Sequence, residues 1–165
     1  MALTEAELHD AILEELRHHT VLTLATIGEN GPHAVSLIYA HDVFDIFWLS
    51  DPNTRHSEHL ASSPSAAVTI AAQHDDFKAI RGLQMKGDGS RLTDADEAAA
   101  GFDLLVARYP FLDQFAVGKL AWHLGAASVY RFRPASLTLI DNSRGFGFKQ
   151  SLELAAQPDA VTDRD

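Results

Sequence analysis

Alternating patterns of apolar and polar residues, separated by short turn sequences, are the feature that most restricts how this chain can fold. Residues 21–27 are rich in β-branched side chains and are followed by Asn30-Gly31, a dipeptide typical of a tight hairpin turn. Further strands are expected over residues 34–40 and 46–49, on either side of a turn at residues 42–45. Successive strands joined by such short turns favour an antiparallel sheet.

The second half of the chain continues this pattern. The remaining strands are expected over residues 66–72, 79–86, 129–133 and 137–140. A bend is expected at residues 87–89, and Pro134 predicts a kink or bulge that joins the last two segments. With 165 residues the chain is of ordinary size for one domain, and a sheet of six strands most simply avoids exposed edges by closing into a barrel. The pattern therefore predicts a mainly β fold, a six-stranded antiparallel β-barrel with peripheral helices.

Helices are expected around this sheet. Thr4 and Glu7 have the spacing of a capping box, and the apolar residues after them predict an amphipathic helix that ends near residue 18 or 19. Further helices are expected over residues 55–62, 94–109 and 111–124. The acidic, Pro-containing segment 157–165 is expected to be a disordered tail, which leaves residues 1–156 as a single domain.

The charge and composition exclude several classes of function. Net charge is −10, from 13 basic and 23 acidic residues, and such an excess repels a nucleic acid backbone. The absence of cysteine excludes disulfides, thiolate metal ligands and a cysteine nucleophile. No segment approaches the ~20 apolar residues that span a bilayer, and the acidic N-terminal segment lacks the pattern of a signal peptide. We expect a soluble, cytoplasmic protein that binds neither nucleic acid nor a membrane.

A candidate anion site lies where the third strand leads into the helix expected at residue 55. The N–H groups at the start of a helix have no acceptor in the helix and carry partial positive charge, so an anion is stabilised there. Hydroxyl, guanidinium and imidazole donors surround the same point in the sequence: Ser50, Thr54, Arg55 and His56. The alternative is that Thr54 is an ordinary helix cap and Arg55 a solvated surface residue.

Histidines provide a second candidate chemistry. His56 and His59 are three residues apart on the expected helix, so both imidazoles could face one metal or haem iron. No carboxylate or cysteine completes a zinc pattern around them, and isolated histidine pairs are more often structural. We therefore predict no metal site.

The segment 141–149 combines turn-forming residues with phenylalanines and cations. A plain turn does not need exposed phenylalanine, so one interpretation is a loop that lies across a ring-shaped ligand or a subunit interface. The alternative is a structural loop whose Phe side chains close the end of the barrel.

Several of these segments together resemble one known family. Residues 21–26, 33–39, 49–60 and Met85-Lys86-Gly87 resemble the pyridoxamine 5'-phosphate oxidase-like family of flavin-binding split barrels. Leu49-Ser50 followed by Thr54-Arg55-His56 is similar to the family's phosphate-binding stretch, with His56 where lysine is common. Segments 130–134 and 140–147 resemble a branch of the family other than the oxidase itself, whose C-terminal pattern for pyridoxamine phosphate is not recognisable.

The resemblance implies a cofactor and a set of contacts. It implies a dimeric split barrel of Greek-key type that binds flavin mononucleotide (FMN) between two subunits. Carried over position by position, the implied FMN contacts are Val35, Ser36, Leu37, Leu49, Ser50, Thr54, Arg55, His56, Arg81, Asn142 and Phe146. In this reading the second-strand residues lie beside the isoalloxazine ring, and Arg55 and His56 hold the phosphate.

The implied function is that of an FMN-dependent oxidoreductase, a reductase that takes hydride from NADH or NADPH and reduces a small molecule. The flavin carries the electron chemistry, which agrees with the absence of an obvious catalytic dyad. Three alternatives stay open. The first is a haem-binding or haem-degrading split barrel with His56, His59 or His123 as iron ligand. The others are a non-catalytic flavin-binding dimer and a protein that uses a deazaflavin.

Overall fold

A computed structural model describes residues 1–113 and 127–155 of the chain. The strands are β1 (Val21–Gly28), β2 (Gly31–Ile38), β3 (Ala40–Asp42), β4 (Asp45–Ser50), β5 (Ser65–Ala71), β6 (Arg81–Arg91), β7 (Ser128–Asp141) and β8 (Lys149–Glu153). The helices are α1 (Glu5–His18), α2 (Arg55–Ser62) and α3 (Ala95–Arg108), with short 3-10 turns at Phe77–Ala79, Pro110–Leu112 and Asn142–Arg144. The predicted tail 157–165, and the helix predicted at 111–124 from residue 114 onward, lie outside the described residues. No helix of the described residues is long and apolar enough to cross a bilayer.

All strand pairs of the described sheet are antiparallel, and the strand order is β2-β1-β5-β6-β7-β4-β3, with β8 also paired to β7. Strands from both halves of this order bury side chains in one core, among them Leu24 of β1, Leu83 of β6 and Trp48 of β4. The sheet therefore curls around that core. The predicted mainly β, antiparallel split-barrel class is confirmed, and the structure adds two short strands, β3 and β8, to the six expected.

A bulge in the pairing of β6 and β7 divides the sheet. Lys86 pairs with Ser136 and Gly87 with Pro134, so one residue of β7 has no partner in between. Before the bulge the other edge of β7 pairs with β4, and after it with β8. The kink or bulge predicted at Pro134 is thus confirmed. The strand predicted to end at residue 86, with a bend at 87–89, instead continues as β6 to Arg91.

Two helices close the open sides of the curled sheet. The capping box predicted at the start of α1 is present, with Thr4 and Glu7 each accepting from the other's backbone N–H. The apolar face of α1 buries Leu8, Ile12 and Leu16 in the main core. Helix α3 begins after Asp94, which accepts hydrogen bonds from two N–H groups of its first turn, and packs on a second, smaller cluster around Phe47. The third helix, α2, covers the end of the β1–β2 hairpin.

Candidate functional site

The candidate anion site lies at the junction of β4 and α2, as the sequence pattern predicted. Ser50 is the last residue of β4, and a turn built on Asp51 leads directly to Arg55, the first residue of α2. The Asp51 carboxylate accepts the Asn53 N–H at 2.8 Å, and its carbonyl accepts the Thr54 N–H at 3.0 Å. This local bonding places the strand end and the helix start side by side.

The side chains at this junction form a buried polar cluster. Ser50 Oγ lies 2.7 Å from His56 Nε2, and both residues are buried. Thr54 occupies the N-cap position, yet its hydroxyl makes no cap bond. Thr54 Oγ1 lies instead 2.8 Å from the Asp51 carbonyl oxygen and 2.8 Å from Ser57 Oγ. The interpretation of Thr54 as an ordinary cap is therefore wrong, because its hydroxyl serves the cluster and leaves the helix N–H groups uncapped.

Arg55 supplies fixed positive charge at this point. Its side chain is exposed and makes no hydrogen bond or ion pair with other described residues. Arg81, by contrast, forms ion pairs with carboxylates. An unpaired guanidinium beside uncapped N–H groups is suited to a phosphate, which accepts charge-assisted bonds from both.

Three imidazoles meet between α2 and the β1–β2 hairpin. The His33 ring centroid lies 6.3 Å from that of His56 and 6.0 Å from that of His59. His59 Nδ1 lies 3.1 Å from Thr26 Oγ1, and its ring occupies the space that a side chain on Gly28 would fill. Burial lowers the pKa of His56, and charge on His33 and His59 lowers it further, so His56 is neutral at neutral pH.

His33 is a residue that sequence reasoning missed. It pairs with Thr26 across the hairpin, and inward-facing Thr26 is buried. The signal lay in the hairpin itself, because the Asn30-Gly31 turn makes Thr26 and His33 direct partners on one face. Of the other histidines considered, His123 lies outside the described residues. Within the described ranges no group of three or more His, Cys, Asp or Glu residues is placed to hold a metal ion.

The three residues of β2 that were predicted to contact the flavin ring point to opposite faces of the sheet. Val35 and Leu37 pair with Leu24 and Leu22 and pack against the main core, whereas the side chain of Ser36 is exposed on the opposite face. Leu49 of β4 packs against the smaller cluster beneath α3. Of these four residues, Ser36 alone therefore presents an exposed side chain to a ligand.

Arg81, Asn142 and Phe146 lie far from the β4–α2 junction within one chain. Arg81 pairs with Asp141 at the last residue of β7, whereas Ser50 pairs with Ser128 at the first. At ~3.3 Å per residue this separation is about 43 Å along the strand. The structure thus divides the predicted contacts into two groups at opposite ends of β7.

The group of Arg81, Asn142 and Phe146 is held in place by contacts of its own. Arg81 Nη2 lies 3.0 Å from Glu15 Oε1, which ties β6 to α1. Asn142 Nδ2 donates to the Phe77 carbonyl at 2.9 Å, and Asn142 Oδ1 accepts the Gly147 N–H at 3.1 Å. These bonds support Phe146, which is 84% exposed and stacks on Phe77 with ring centroids 4.8 Å apart. Phe146 therefore does not close the end of the barrel, whereas Phe148, the other phenylalanine of this loop, is half-buried.

Comparison with known proteins agrees with this architecture. A UPF0306 protein of Yersinia pseudotuberculosis is 30% identical over 137 residues, which is 81% of this chain and 85% of the relative. A heme binding protein from Mycobacterium smegmatis superimposes with a TM-score of 0.71 at 21% identity, covering 93% of this chain and 59% of that longer chain. A FAD-binding protein from Mesorhizobium loti superimposes with a TM-score of 0.61 at 16% identity, covering 82% of this chain and 90% of the other.

A family model also matches most of the chain. The family model described as pyridoxamine 5'-phosphate oxidase matches residues 8–140, from the first buried turn of α1 to the end of β7. This range contains strands β1 to β6, nearly all of β7 and the β4–α2 junction. The chain therefore belongs to the pyridoxamine 5'-phosphate oxidase family.

Proposed function

We propose that this protein binds FMN as a homodimer and acts as an oxidoreductase, with the flavin phosphate at the β4–α2 junction. The observation that carries the proposal is the position of Arg55. Its unpaired guanidinium stands at the start of α2, beside N–H groups that the Thr54 side chain does not cap. A phosphate monoester would accept bonds from both kinds of donor.

The division of the predicted contacts supports a dimer. Ser50, Thr54, Arg55 and His56 lie at one end of β7, and Arg81, Asn142 and Phe146 lie at the other. One flavin is much shorter than the length of strand between them, which favours a site to which two chains contribute. A two-fold related partner can supply the second group to the first chain's flavin.

The residues of this chain would bind and orient the cofactor. Arg55 and the first N–H groups of α2 would hold the phosphate, and Ser36 would lie at the exposed face of β2 beside the ring. FMN, when bound, supplies hydride and electron transfer, so no side chain has to act as a strong acid or base. A nicotinamide nucleotide, NADH or NADPH, is the proposed electron donor.

Haem binding is a second candidate, favoured by the three neighbouring imidazoles. The His33 ring centroid lies 6.3 Å from that of His56 and 6.0 Å from that of His59, and a structural neighbour is a heme binding protein. Against it, His56 Nε2 is buried and lies at hydrogen-bond distance from Ser50 Oγ, so ligation of iron would first require that contact to break. The donor set of the junction is thus better suited to an anion.

The visible spectrum of the purified protein separates these candidates. Bound FMN gives two broad bands in the near ultraviolet and blue, and denaturation releases a fluorescent ligand with the mass of FMN. A sharp Soret band without a released flavin would overturn the proposal in favour of haem, and a ligand of different mass would identify a deazaflavin. Stopped-flow mixing with NADH and NADPH then tests the redox function, because failure of both to reduce the flavin would indicate a non-catalytic flavin-binding protein.

A further inference from the structure

The hydroxyl of Thr54 fixes the direction of the hydrogen bonds in the buried cluster at the β4–α2 junction. A hydroxyl has one hydrogen to donate and two lone pairs with which to accept. Thr54 Oγ1 lies 2.8 Å from the Asp51 carbonyl oxygen, which can only accept, so Thr54 donates its hydrogen there. The same oxygen lies 2.8 Å from Ser57 Oγ and therefore accepts from the Ser57 hydroxyl. Thr54 then has one lone pair left and no hydrogen to donate.

His56 Nε2 faces this remaining lone pair. The two atoms are 3.2 Å apart, and a hydrogen bond between them requires the hydrogen on Nε2, because Thr54 has none to donate. A hydrogen on Nδ1 would find no acceptor among the described residues, whereas a hydrogen on Nε2 finds two, Ser50 and Thr54. Neutral imidazole carries a single N–H group. Neutral His56 is therefore the Nε2–H tautomer.

This tautomer leaves the hydroxyl of Ser50 with an unused donor. Ser50 Oγ lies 2.7 Å from His56 Nε2 and accepts from its N–H group. Ser50 is only 8% exposed, and within the part of the chain that the structure describes its side chain has no other hydrogen-bond partner. A donor so deeply buried is destabilising unless it meets an acceptor. The Ser50 hydrogen therefore calls for an acceptor that the described residues do not supply.

The proposed phosphate site lies at the same junction. Ser50 ends β4, and Arg55 and the uncapped N–H groups begin α2. A phosphate oxygen held by these donors would also accept from the Ser50 hydroxyl. The N–H group of His56 is directed to Ser50 and Thr54 instead, so the imidazole has no hydrogen for the anion.

We propose that His56 is a positioning residue, whose Nε2–H group holds the Ser50 oxygen and turns the Ser50 hydrogen towards the phosphate of the ligand. The inference rests on the proposed function, and it changes the role that the family resemblance implied for His56. A lysine at this position would meet the phosphate as a cation, whereas His56 acts through the serine and does not bind the phosphate itself. Arg55 then supplies positive charge, and Ser50 supplies a neutral donor.

Nitrogen NMR of the histidine side chains tests the tautomer. In isotopically labelled wild-type protein, at a pH above the ordinary imidazole pKa, the His56 signals should show a protonated Nε2 and an unprotonated Nδ1. The spectrum of His56→Gln, which lacks these signals, assigns them. A proton on Nδ1 would overturn the inference, because Nε2 would then accept from Ser50 and the serine hydrogen would not be directed to a ligand.

Fluorescence titration with FMN tests the positioning role. Ser50→Ala should raise the dissociation constant for FMN by about tenfold or more, because it removes a hydrogen bond to a charged group, and should leave riboflavin binding unchanged. His56→Gln should bind FMN within about threefold of wild type, because its side-chain amide can donate to Ser50 as Nε2–H does. His56→Leu, which has no donor, should lose about as much affinity as Ser50→Ala. Ser62→Ala, which removes an exposed hydroxyl at the other end of α2, is the matched control and should bind FMN as wild type does.

The double variant Ser50→Ala/His56→Leu separates an indirect role of His56 from a direct one. If His56 acts through Ser50, the double variant should bind FMN no more weakly than Ser50→Ala alone. Additive losses, or a loss in His56→Gln as large as that in Ser50→Ala, would show that the imidazole itself contacts the phosphate and would overturn the inference while leaving FMN binding in place. Should His56→Leu fail to fold, the tautomer and His56→Gln still decide the question. A wild-type protein that binds no FMN would overturn the proposed function together with the phosphate-directing role of Ser50, whichever tautomer the nitrogen signals show.

Discussion

Ser50 Oγ and His56 Nε2 lie 2.7 Å apart in a buried contact that joins the end of a strand to the first turn of a helix. Because both groups are shielded from water, the contact holds the imidazole in one orientation. The contact links the end of β4 to the first turn of α2, next to Arg55. The chemistry of the junction can therefore be tested through either residue.

Acidification should destabilise the protein through His56. Burial, with charge on His33 and His59, lowers the pKa of His56 below its ordinary value of 6.5. Between the lowered pKa and 6.5 the unfolded chain binds the proton more readily than the folded one. The contribution of His56 to the free energy of unfolding is therefore complete above pH 6.5 and is lost as the pH falls through the lowered pKa.

Urea denaturation at a series of pH values measures this dependence. His56→Gln keeps a hydrogen-bonding side chain but cannot titrate, so its stability should fall less steeply below pH 6.5 than that of the wild type. His74→Gln, at an exposed loop position, is the control and should leave the profile unchanged. An identical pH profile for His56→Gln and wild type would show that the imidazole does not titrate as described.

Removal of the Arg55 guanidinium should weaken FMN binding. Loss of a charge-assisted hydrogen bond predicts a change of ~1.5–3 kcal/mol in the binding free energy of Arg55→Ala. Fluorescence titration measures it, since flavin emission changes on binding. Riboflavin, which lacks the phosphate, should bind wild type and Arg55→Ala with equal affinity.

The control for this prediction is Arg17→Ala, which removes another exposed arginine, near the end of α1. It should leave the affinity for FMN unchanged. Equal FMN affinity of wild type and Arg55→Ala would remove Arg55 from the phosphate site.

A side chain at Gly87 should disrupt the bulge that divides the sheet. A Cβ atom there would lie 2.0 Å from the Arg133 carbonyl oxygen and 2.7 Å from Pro134 Cα, both backbone atoms that cannot move aside. We expect Gly87→Ala to reduce the free energy of unfolding by about 3 kcal/mol. Thermal or urea unfolding followed by circular dichroism measures the loss.

Gly89→Ala, two residues further along β6, is the matched control for Gly87→Ala. Its Cβ would meet the Leu60 methyl groups at 3.1 and 3.3 Å, and these side-chain ends can shift. The loss in the free energy of unfolding should therefore be clearly smaller for Gly89→Ala than for Gly87→Ala. Equal losses at the two positions would indicate that the close approach at the bulge is not what requires glycine.

Arg108 should stabilise the docking of α1. At the end of α3, its Nη2 donates to the carbonyls of Leu16 at 3.1 Å and Arg17 at 3.2 Å, and also to that of His19. These are carbonyls at the end of α1 that the helix itself leaves without partners. Arg108→Ala should lower the free energy of unfolding by ~1.5–3 kcal/mol, the range for hydrogen bonds to a charged group.

Denaturant unfolding with Arg91→Ala as the control tests this role, because Arg91 is exposed and makes no hydrogen bond or ion pair with other described residues. Hydrogen exchange of the last turn of α1 adds a local readout, and should be faster in Arg108→Ala. Unchanged exchange there would mean that the bonds to the carbonyls contribute little to holding the helix end.

Local sequence patterns predicted most of the strands and helices. Alternation in β1 and β5, the capping box of α1 and the acidic first turn of α3 each act over a few residues, so they can be read directly from the chain. Pro134 also predicted the bulge in β7. The short strand β8 was missed because the turn-rich segment before it obscured the alternation of only five residues.

The candidate site was only partly predictable from the sequence, because some of its residues are distant from one another along the chain. Ser50, Thr54, Arg55 and His56 are close in sequence, and a turn brings them together locally. His33 joins them only because the hairpin and α2 pack against each other. The position of Arg81, Asn142 and Phe146 at the far end of β7 likewise follows from strand register, which resemblance to a family does not reveal.

The sequence by itself determined which segments become strands and helices, and that a cluster of hydroxyl, guanidinium and imidazole donors stands where β4 meets α2. These features depend on side-chain alternation, turn residues and caps, all of which act between near neighbours. Only the tertiary structure decided that His33 meets His56 and His59, and that predicted ligand contacts separate into groups at opposite ends of β7. Those relationships depend on pairing registers between distant strands, because a shift of one residue would turn each side chain to the opposite face of the sheet.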